Sequence, residues 1–307
     1  MKLLKEDSNL LQTIAGIADI PTGAYNIRKN GAALQRQNTK NIEIISKTDK
    51  PGIDIHIAPN TKGEEVHIPV ILSKSGMTDL VYNDFFIGEG ADVTIIAGCG
   101  INNFGCDDSQ HDGIHTFFVE KGARFKYIEK HYGEGSGTGK RILNPVTVVH
   151  LGENAVAEME MIQIKGVSST KRDTEADLAR GAKLIVTERL MTDGEQFAES
   201  NITVNMNGEN SSCQVVSRTV GKDSSRQVFH PRVFGNTACR AHVQCDSIIM
   251  GNSKISSIPE ITAHDDDAQL VHEAAIGKIN SDQLIKLMTF GLSEEEAEKV
   301  IIDGFLK

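Results

Sequence analysis

The chain reads as a coiled β-sheet, mainly β, closing in a small C-terminal helical segment, and two observations predict it. A Gly-led turn signature recurs at Gly31-Ala-Ala-Leu34, Gly63-Glu-Glu-Val66, Gly90-Ala-Asp-Val93, Gly122-Ala-Arg-Phe125, Gly152-Glu-Asn-Ala155, Gly181-Ala-Lys-Leu184, Gly208-Glu-Asn-Ser211 and Gly235-Asn-Thr-Ala238, in steps of 32, 27, 32, 30, 29, 27 and 27 residues. Between the turns lie short segments with period-two alternation or brief apolar runs, which is strand patterning and not the period of an amphipathic helix. One coil of such strands cannot bury its apolar face alone, so coils stack into a solenoid.

Taken in order, the elements divide at residues 1–30, 31–276 and 277–307. Residues from Glu6 to about Gly16 have weak helical character and are expected to cap one open end of the coil. The strand candidates of the β-helix core are Val66–Ile71, Ala91–Ile96, Arg124–Ile128, Ala155–Ile162, Lys183–Val186 and Ser200–Val204, and Gly supplies the positive φ their corners need. From Ser281 to Phe305, Leu284, Ile285, Leu287 and Met288, then Ala297, Val300, Ile301 and Phe305, fall at helical spacing around a break at Gly291-Leu-Ser293. Ser293 followed by Glu296 is a capping box, so the ending reads as helix, turn, helix.

A solenoid holds 307 residues without one thick core, and no composition break marks a linker before about Ile276. The 42 acidic residues outnumber 32 basic ones for a net charge of −10, without a basic cluster, which argues against nucleic acid and anionic membranes as partners. No apolar run is long enough to span a bilayer and the N-terminus lacks a secretory pattern, so the expected location is the cytoplasm. Cys99, Cys106, Cys213, Cys239 and Cys245 are an odd set spread over a long chain, which fits reduced thiols better than a disulfide framework.

Several clusters compete as sites. The loop Gly133-Glu-Gly-Ser-Gly-Thr-Gly-Lys140 fails as a phosphate loop, because Glu134 stands where the first Gly is needed and Arg141 replaces the metal-binding Ser/Thr. Cys99, Cys106, His111 and His115 bring two thiolates and two imidazoles within 17 residues, a donor set suited to tetrahedral zinc or to iron. The rival reading makes Cys99 a small core residue and the histidines part of an Asp-rich loop. Cys213 and Cys239, one coil apart, read as stacked core residues. Cys245 differs: its flanks, Gln244 and Asp246, are polar, and it lies 27 and 28 residues from His272 and Glu273, about one coil. The interval predicts that Cys245 stands beside His272 or Glu273, with Arg218 continuing the column, although a one-residue shift would turn a side chain to the opposite face. A thiolate beside an imidazole and a carboxylate can bind iron or accept sulfur, and Arg218 or Arg240 nearby would lower its pKa. A sugar-active β-helix is disfavoured by the absence of Trp and only 4 Tyr.

The stretch Val243-Gln-Cys-Asp-Ser-Ile-Ile-Met-Gly251, Pro259-Glu260, Asp266-Asp-Ala-Gln-Leu-Val-His-Glu-Ala-Ala275, Ile279-Asn-Ser-Asp-Gln-Leu284, Gly291-Leu-Ser-Glu-Glu-Glu-Ala297 and Ile301-Ile-Asp-Gly-Phe305 closely resembles the C-terminal half of the SufB/SufD family. The resemblance implies a right-handed parallel β-helix and a scaffold that builds a transient iron–sulfur cluster with a SufC-like ABC ATPase docked on the C-terminal helices. It implies a scaffold cysteine at Cys245 and an acidic site residue at Glu273, a SufB-like pairing; the imidazole of the adjacent His272 is a further candidate ligand. The chain is shorter than the usual subunits, and a homodimer serving apoprotein acceptors is the expected form. It carries no ATP motif of its own, so no enzyme activity is expected. The alternative is an adaptor stabilised by zinc at Cys99, Cys106, His111 and His115 that organises the ATPase without carrying a cluster.

Overall fold

The computed structural model describes residues 5–17 and 21–307. Helix α1 (Lys5–Ala15) precedes two antiparallel hairpins, β1 (Ala24–Lys29) with β2 (Ala32–Gln37) and β3 (Ile42–Ser46) with β4 (Gly52–Ile57). Then come β5 (Lys62–His67), β6 (Val70–Leu72), β7 (Thr78–Ile87), β8 (Asp92–Asn102), β9 (Ser109–Val119), β10 (Arg124–Glu134), β11 (Arg141–Leu143), β12 (Val146–Leu151), β13 (Val156–Lys165) and β14 (Ser169–Leu178). The chain continues through β15 (Lys183–Thr192), β16 (Phe197–Met206), β17 (Ser212–Gly221), β18 (Arg226–Gly235), β19 (Arg240–Ile249), β20 (Lys254–Ser257), β21 (Glu260–Ala263) and β22 (Gln269–Gly277) to α2 (Ser281–Thr289) and α3 (Glu294–Phe305).

Two parallel sheets form because each coil gives one strand to each wall. The first wall runs β1-β5-β8-β10-β13-β15-β17-β19-β22 and the second β18-β16-β14-β11-β9-β7-β4, giving the expected parallel β-helix of about eight turns. Strand alternation decides what lies inside. In β15, Leu184, Val186, Glu188 and Leu190 are buried while Lys183, Ile185, Thr187 and Arg189 face outward. One half of the lumen is apolar, with Phe85, Phe117 and Phe125 stacked at centroid distances of 4.4 and 4.9 Å. Such contacts add about 0.5–1.5 kcal/mol each beyond area burial.

The N-terminal helix departs from its expected place. Leu10, Leu11 and Ile14 pack on the outer face of the first sheet with Tyr25, Ile27 and Ile71, so α1 covers a flank instead of an end. The cause is Gly98 and Gly100 on the outward face of β8. A Cβ at Gly98 would fall 2.4 Å from the Ile14 carbonyl oxygen, and one at Gly100 would fall 2.6 Å from Leu10 Cγ. The glycine-rich loop is likewise no loose connection: Gly137 and Gly139 donate backbone hydrogen bonds to the carbonyls of Asn103 and Gly105 on the preceding coil.

At the other end α2 and α3 form the expected pair. The Ser293 side chain accepts from the Glu296 N–H and the Glu296 carboxylate accepts from the Ser293 N–H, so both bonds of the capping box are made. Ile302 and Leu306 pack on Val220 and Ile248 of the outer face, and Arg189 donates to the Lys307 carbonyl at 2.9 Å. Among the described residues, β22 pairs with β19 alone and its other edge is free.

Candidate functional site at the open end of the lumen

Cys245 points into the lumen from β19. Its partners in register are Ser217 on β17 and Ala274 on β22. This corrects the predicted column: Gln244 pairs with Glu273, Val243 with His272, and Arg218 with Asp246. The interval between Cys245 and its partner is 29 residues, not 27 or 28, because the segment from Met250 to Ala268 runs through two short strands and their turns. The shift of one residue sends Glu273 to the outer face, where His242 Nε2 lies 3.6 Å from its carboxylate. His272 keeps the inward face, a diagonal step from Cys245 and about 8 Å away at the backbone, from strand spacing and rise. Arg218 and Arg240 stand outside the lumen, so neither is placed to hold down the Cys245 thiol.

Across the lumen the Cys245 sulfur is 3.0 Å from the Ser257 hydroxyl. Burial pushes the thiol up, the Ser257 bond opposes this, and the charges of Glu188 and Asp246 add to the rise. The free protein therefore holds Cys245 as a protonated thiol, which must lose its proton to ligate iron. His272 Nε2 is buried without a hydrogen-bond partner, and burial followed by the His242 charge depresses its pKa. A thiol and a neutral imidazole with a free nitrogen are chemically suited to hold a borderline metal.

Deeper in the lumen runs a polar network that the sequence reading missed. Ser217 and Ser200 donate to Glu188 at 2.8 and 2.6 Å. Arg172 Nε is 4.0 Å from Glu188 and its guanidinium also bonds Glu129. Tyr127 donates to Glu129 at 3.1 Å and is 2.7 Å from His115 Nδ1, whose other nitrogen meets Asn83 at 3.1 Å. Glu129, Arg172 and Glu188 are each under 5 % exposed. Burial raises the Glu129 carboxyl, but Arg172 and then His131 outweigh it and hold it well below the usual range. The missed signal was parity: Arg172, between Thr170 and Thr174, and Glu188, between Val186 and Leu190, occupy inward positions of alternating strands.

The four proposed zinc or iron ligands are not brought together. Cys99 and His111 face each other inside, His115 is held by Tyr127 and Asn83, and Cys106 is exposed on the turn after β8. Among the described residues no group of three or more His, Cys, Asp and Glu side chains is arranged to hold a metal ion. The physical reason is position along the chain and not parity, which turns Cys99, His111 and His115 all inward: Cys106 lies on an exposed bend outside the strands, and both His115 nitrogens are engaged by Tyr127 and Asn83. Cys213 and Cys239 are core residues as expected, although Cys213 aligns with Ala241. Burial and the neighbouring Cys239 push the Cys213 thiol up to about 12. No described helix is long and apolar enough to cross a membrane.

Comparison with known proteins bears on this arrangement. Curated relatives include an iron–sulfur cluster assembly SufBD family protein of Methanocaldococcus jannaschii, 26% identical over 243 residues, covering 78% of this chain and 76% of that protein. One of Pyrococcus horikoshii is 28% identical over 258 residues, covering 82% and 77%. One of Staphylococcus epidermidis is 27% identical over 223 residues, 71% of this chain but 47% of that longer protein. The family described as SUF system FeS cluster assembly, SufBD core domain, matches residues 70–305. With that match spanning β6 to the end of α3, the chain belongs to the SufBD family of iron–sulfur cluster assembly proteins.

Proposed function

We propose that the protein is a cytoplasmic scaffold on which a transient iron–sulfur cluster is built and released, working as a homodimer with an ABC-type ATPase. The observation that carries this reading is the position of Cys245: a lumen-facing thiol one strand from a free sheet edge, with the unpartnered His272 nitrogen on the same face. The cluster is cargo, not a resident cofactor. Cys245 supplies a thiolate and His272 an exchangeable ligand, and such mixed ligation suits release where an all-Cys site would retain the cluster. Glu273 enters on the family resemblance alone, since its carboxylate faces the other side of the sheet in the single chain.

The dimer reading rests on β22, whose free edge and exposed Val271 and Ile276 suit pairing with a second copy about a two-fold axis. The two Cys245 sites would then face one another. The ATPase reading rests on a cleft of about 680 Å³ between α2, α3 and Ile248, lined by Leu287, Phe290, Val300 and Phe305, with Phe290 74% exposed. Apoprotein acceptors would take the cluster from the dimer seam.

Anaerobic reconstitution with iron and sulfide tests the site, read by absorption spectrum and by iron content. Cys245→Ala should lose the cluster with the fold intact. An unchanged spectrum in that variant would move the site elsewhere. For the ATPase, Phe290→Ser combined with Val300→Ser, both lining that cleft, should abolish co-purification, and retained binding would sink the docking surface.

A further inference from the structure

Ser257 touches the Cys245 sulfur across the lumen, and its place in the fold gives it a role that rests on the scaffold reading. It closes β20, where it pairs in register with Phe229 of β18 and shares the inward face of that buried residue. The next N–H, that of Ile258, donates to the Phe229 carbonyl at 2.8 Å. Pro259, which has no N–H to give, then separates β20 from β21. The hydroxyl is thus fixed on the last coil of the second wall, 3.0 Å from a sulfur carried by the first wall.

The other hydroxyl beside the sulfur is already committed. Ser217, in register with Cys245, has one O–H and donates it to Glu188 at 2.8 Å. Ser200 donates to the other oxygen of the same carboxylate. Among the described residues the Ser257 contact is the one hydrogen bond that reaches the Cys245 sulfur. In the free protein either group can be its donor. Once Cys245 has given its proton to solvent and a sulfur lone pair to iron, the sulfur can only accept, so the Ser257 O–H must donate.

We propose that Ser257 makes the bond between Cys245 and iron exchangeable: its hydroxyl donates to the metal-bound thiolate, draws electron density from the sulfur and weakens the iron–thiolate bond. Hydrogen bonds to ligating sulfurs are one of the levers by which a protein tunes a bound cluster. A scaffold has to give up what it binds, and this hydroxyl loosens the hold of Cys245 without replacing the thiolate. Ser257 is a positioning residue that acts through Cys245 and is not itself a ligand. The two side chains come from opposite walls, so the bond also ties the last coil of the second sheet to the cluster-bearing strand β19.

The test compares wild type with Ser257→Ala, Ser257→Thr and, as a control, Ser256→Ala, whose side chain is exposed on the same strand. Each full chain is reconstituted anaerobically with iron and sulfide. Two quantities are read at fixed pH: the iron–thiolate stretching frequency by resonance Raman, and the rate at which EDTA strips the iron. Without the hydroxyl the frequency should rise and stripping should slow roughly tenfold, the factor that one hydrogen bond to a charged acceptor carries. Ser257→Thr keeps an O–H and should match wild type, as should Ser256→Ala. A Ser257→Ala protein with wild-type frequency and rate would overturn the proposal, as would a Ser257→Thr protein that behaves like Ser257→Ala. A folded Ser257→Ala protein that takes up no cluster would make the hydroxyl an essential ligand and overturn it too. Cys245→Ala separates this failure from that of the scaffold reading. Cluster retained in that variant removes the site itself, whereas cluster lost there beside unchanged Ser257→Ala values removes the role of Ser257 alone.

Discussion

Arg172→Met removes the guanidinium shared by Glu129 and Glu188 deep in the lumen, and the side chain it replaces is 4% exposed. Breaking a buried pair by deleting one partner costs about 3–5 kcal/mol, because the remaining charge is left uncompensated. At about 2 °C per kcal/mol for a chain of this size, the melting temperature should fall by roughly 6–10 °C at pH 7. The pH dependence identifies the cause. In the wild type the depressed Glu129 pKa contributes stability that is present above the unfolded value of about 4.3 and lost as pH falls through the lower folded value. Without Arg172, His131 is left as the main group opposing burial, and the Glu129 carboxyl rises toward or above the unfolded value. The resulting penalty is then largest at neutral pH and is relieved as falling pH protonates the group. Calorimetry at pH 7 and pH 5 should therefore show the gap between variant and wild type narrowing with acid. Adding Glu129→Gln should recover at least half of the loss. A gap below about 2 °C at pH 7, or one equal at both pH values, would refute a charged network as the internal support of these coils.

Two further outcomes follow from packing and capping. Gly98→Val places methyls where the Ile14 carbonyl now lies, so α1 should lift from the sheet, exposing Leu10, Leu11 and Ile14, each worth roughly 1.5–3 kcal/mol of burial; hydrogen exchange should lose its protection in α1 alone, and unchanged protection would show that the glycine is not what seats the helix. Ser293→Ala deletes one bond of the capping box and should destabilise α3 by about 1 kcal/mol, seen as faster exchange in its first turn with the β-helix unaffected.

Much of the fold was legible because a solenoid repeats its local rules. The Gly-led turns at Gly90, Gly122 and Gly181 adopt positive φ, near +65°, whereas at the Gly152 and Gly208 turns the left-handed residue is Asn154 and Asn210, two positions after the glycine, and the strands between the turns alternate in burial as their residue types do. Ser293 and Glu296 made the start of α3 readable for a similar reason, since both partners of the cap lie within one turn. What sequence did not disclose was mostly non-local. Glu129, Arg172 and Glu188 come from strands 43 and 16 residues apart in the chain, and only coil register makes them neighbours. The flank position of α1 depended on two glycines more than 80 residues downstream, whose purpose is visible only from the helix that covers them.

Register also governs the scaffold site, because a single residue decides whether Glu273 or Ala274 stands beside Cys245. The pairing of β19 with β22 runs without a bulge from Arg240–Gln269 to Ile248–Gly277, which places Ala274 next to Cys245 and turns Glu273 outward. Parallel neighbours in register have Cα atoms roughly 4.8 Å apart, inside the range of about 4.4–6.8 Å that a disulfide spans. Side chains on opposite faces point apart and cannot be bridged without moving the backbone. Under mild oxidation, Ala274→Cys should therefore form an intramolecular disulfide with Cys245, while Glu273→Cys should not, as judged by thiol counting and mass spectrometry of the monomer. A bond through position 273 in preference to 274 would mean that the last coil slips by one residue, and would carry the Glu273 carboxylate to the lumen beside the thiol.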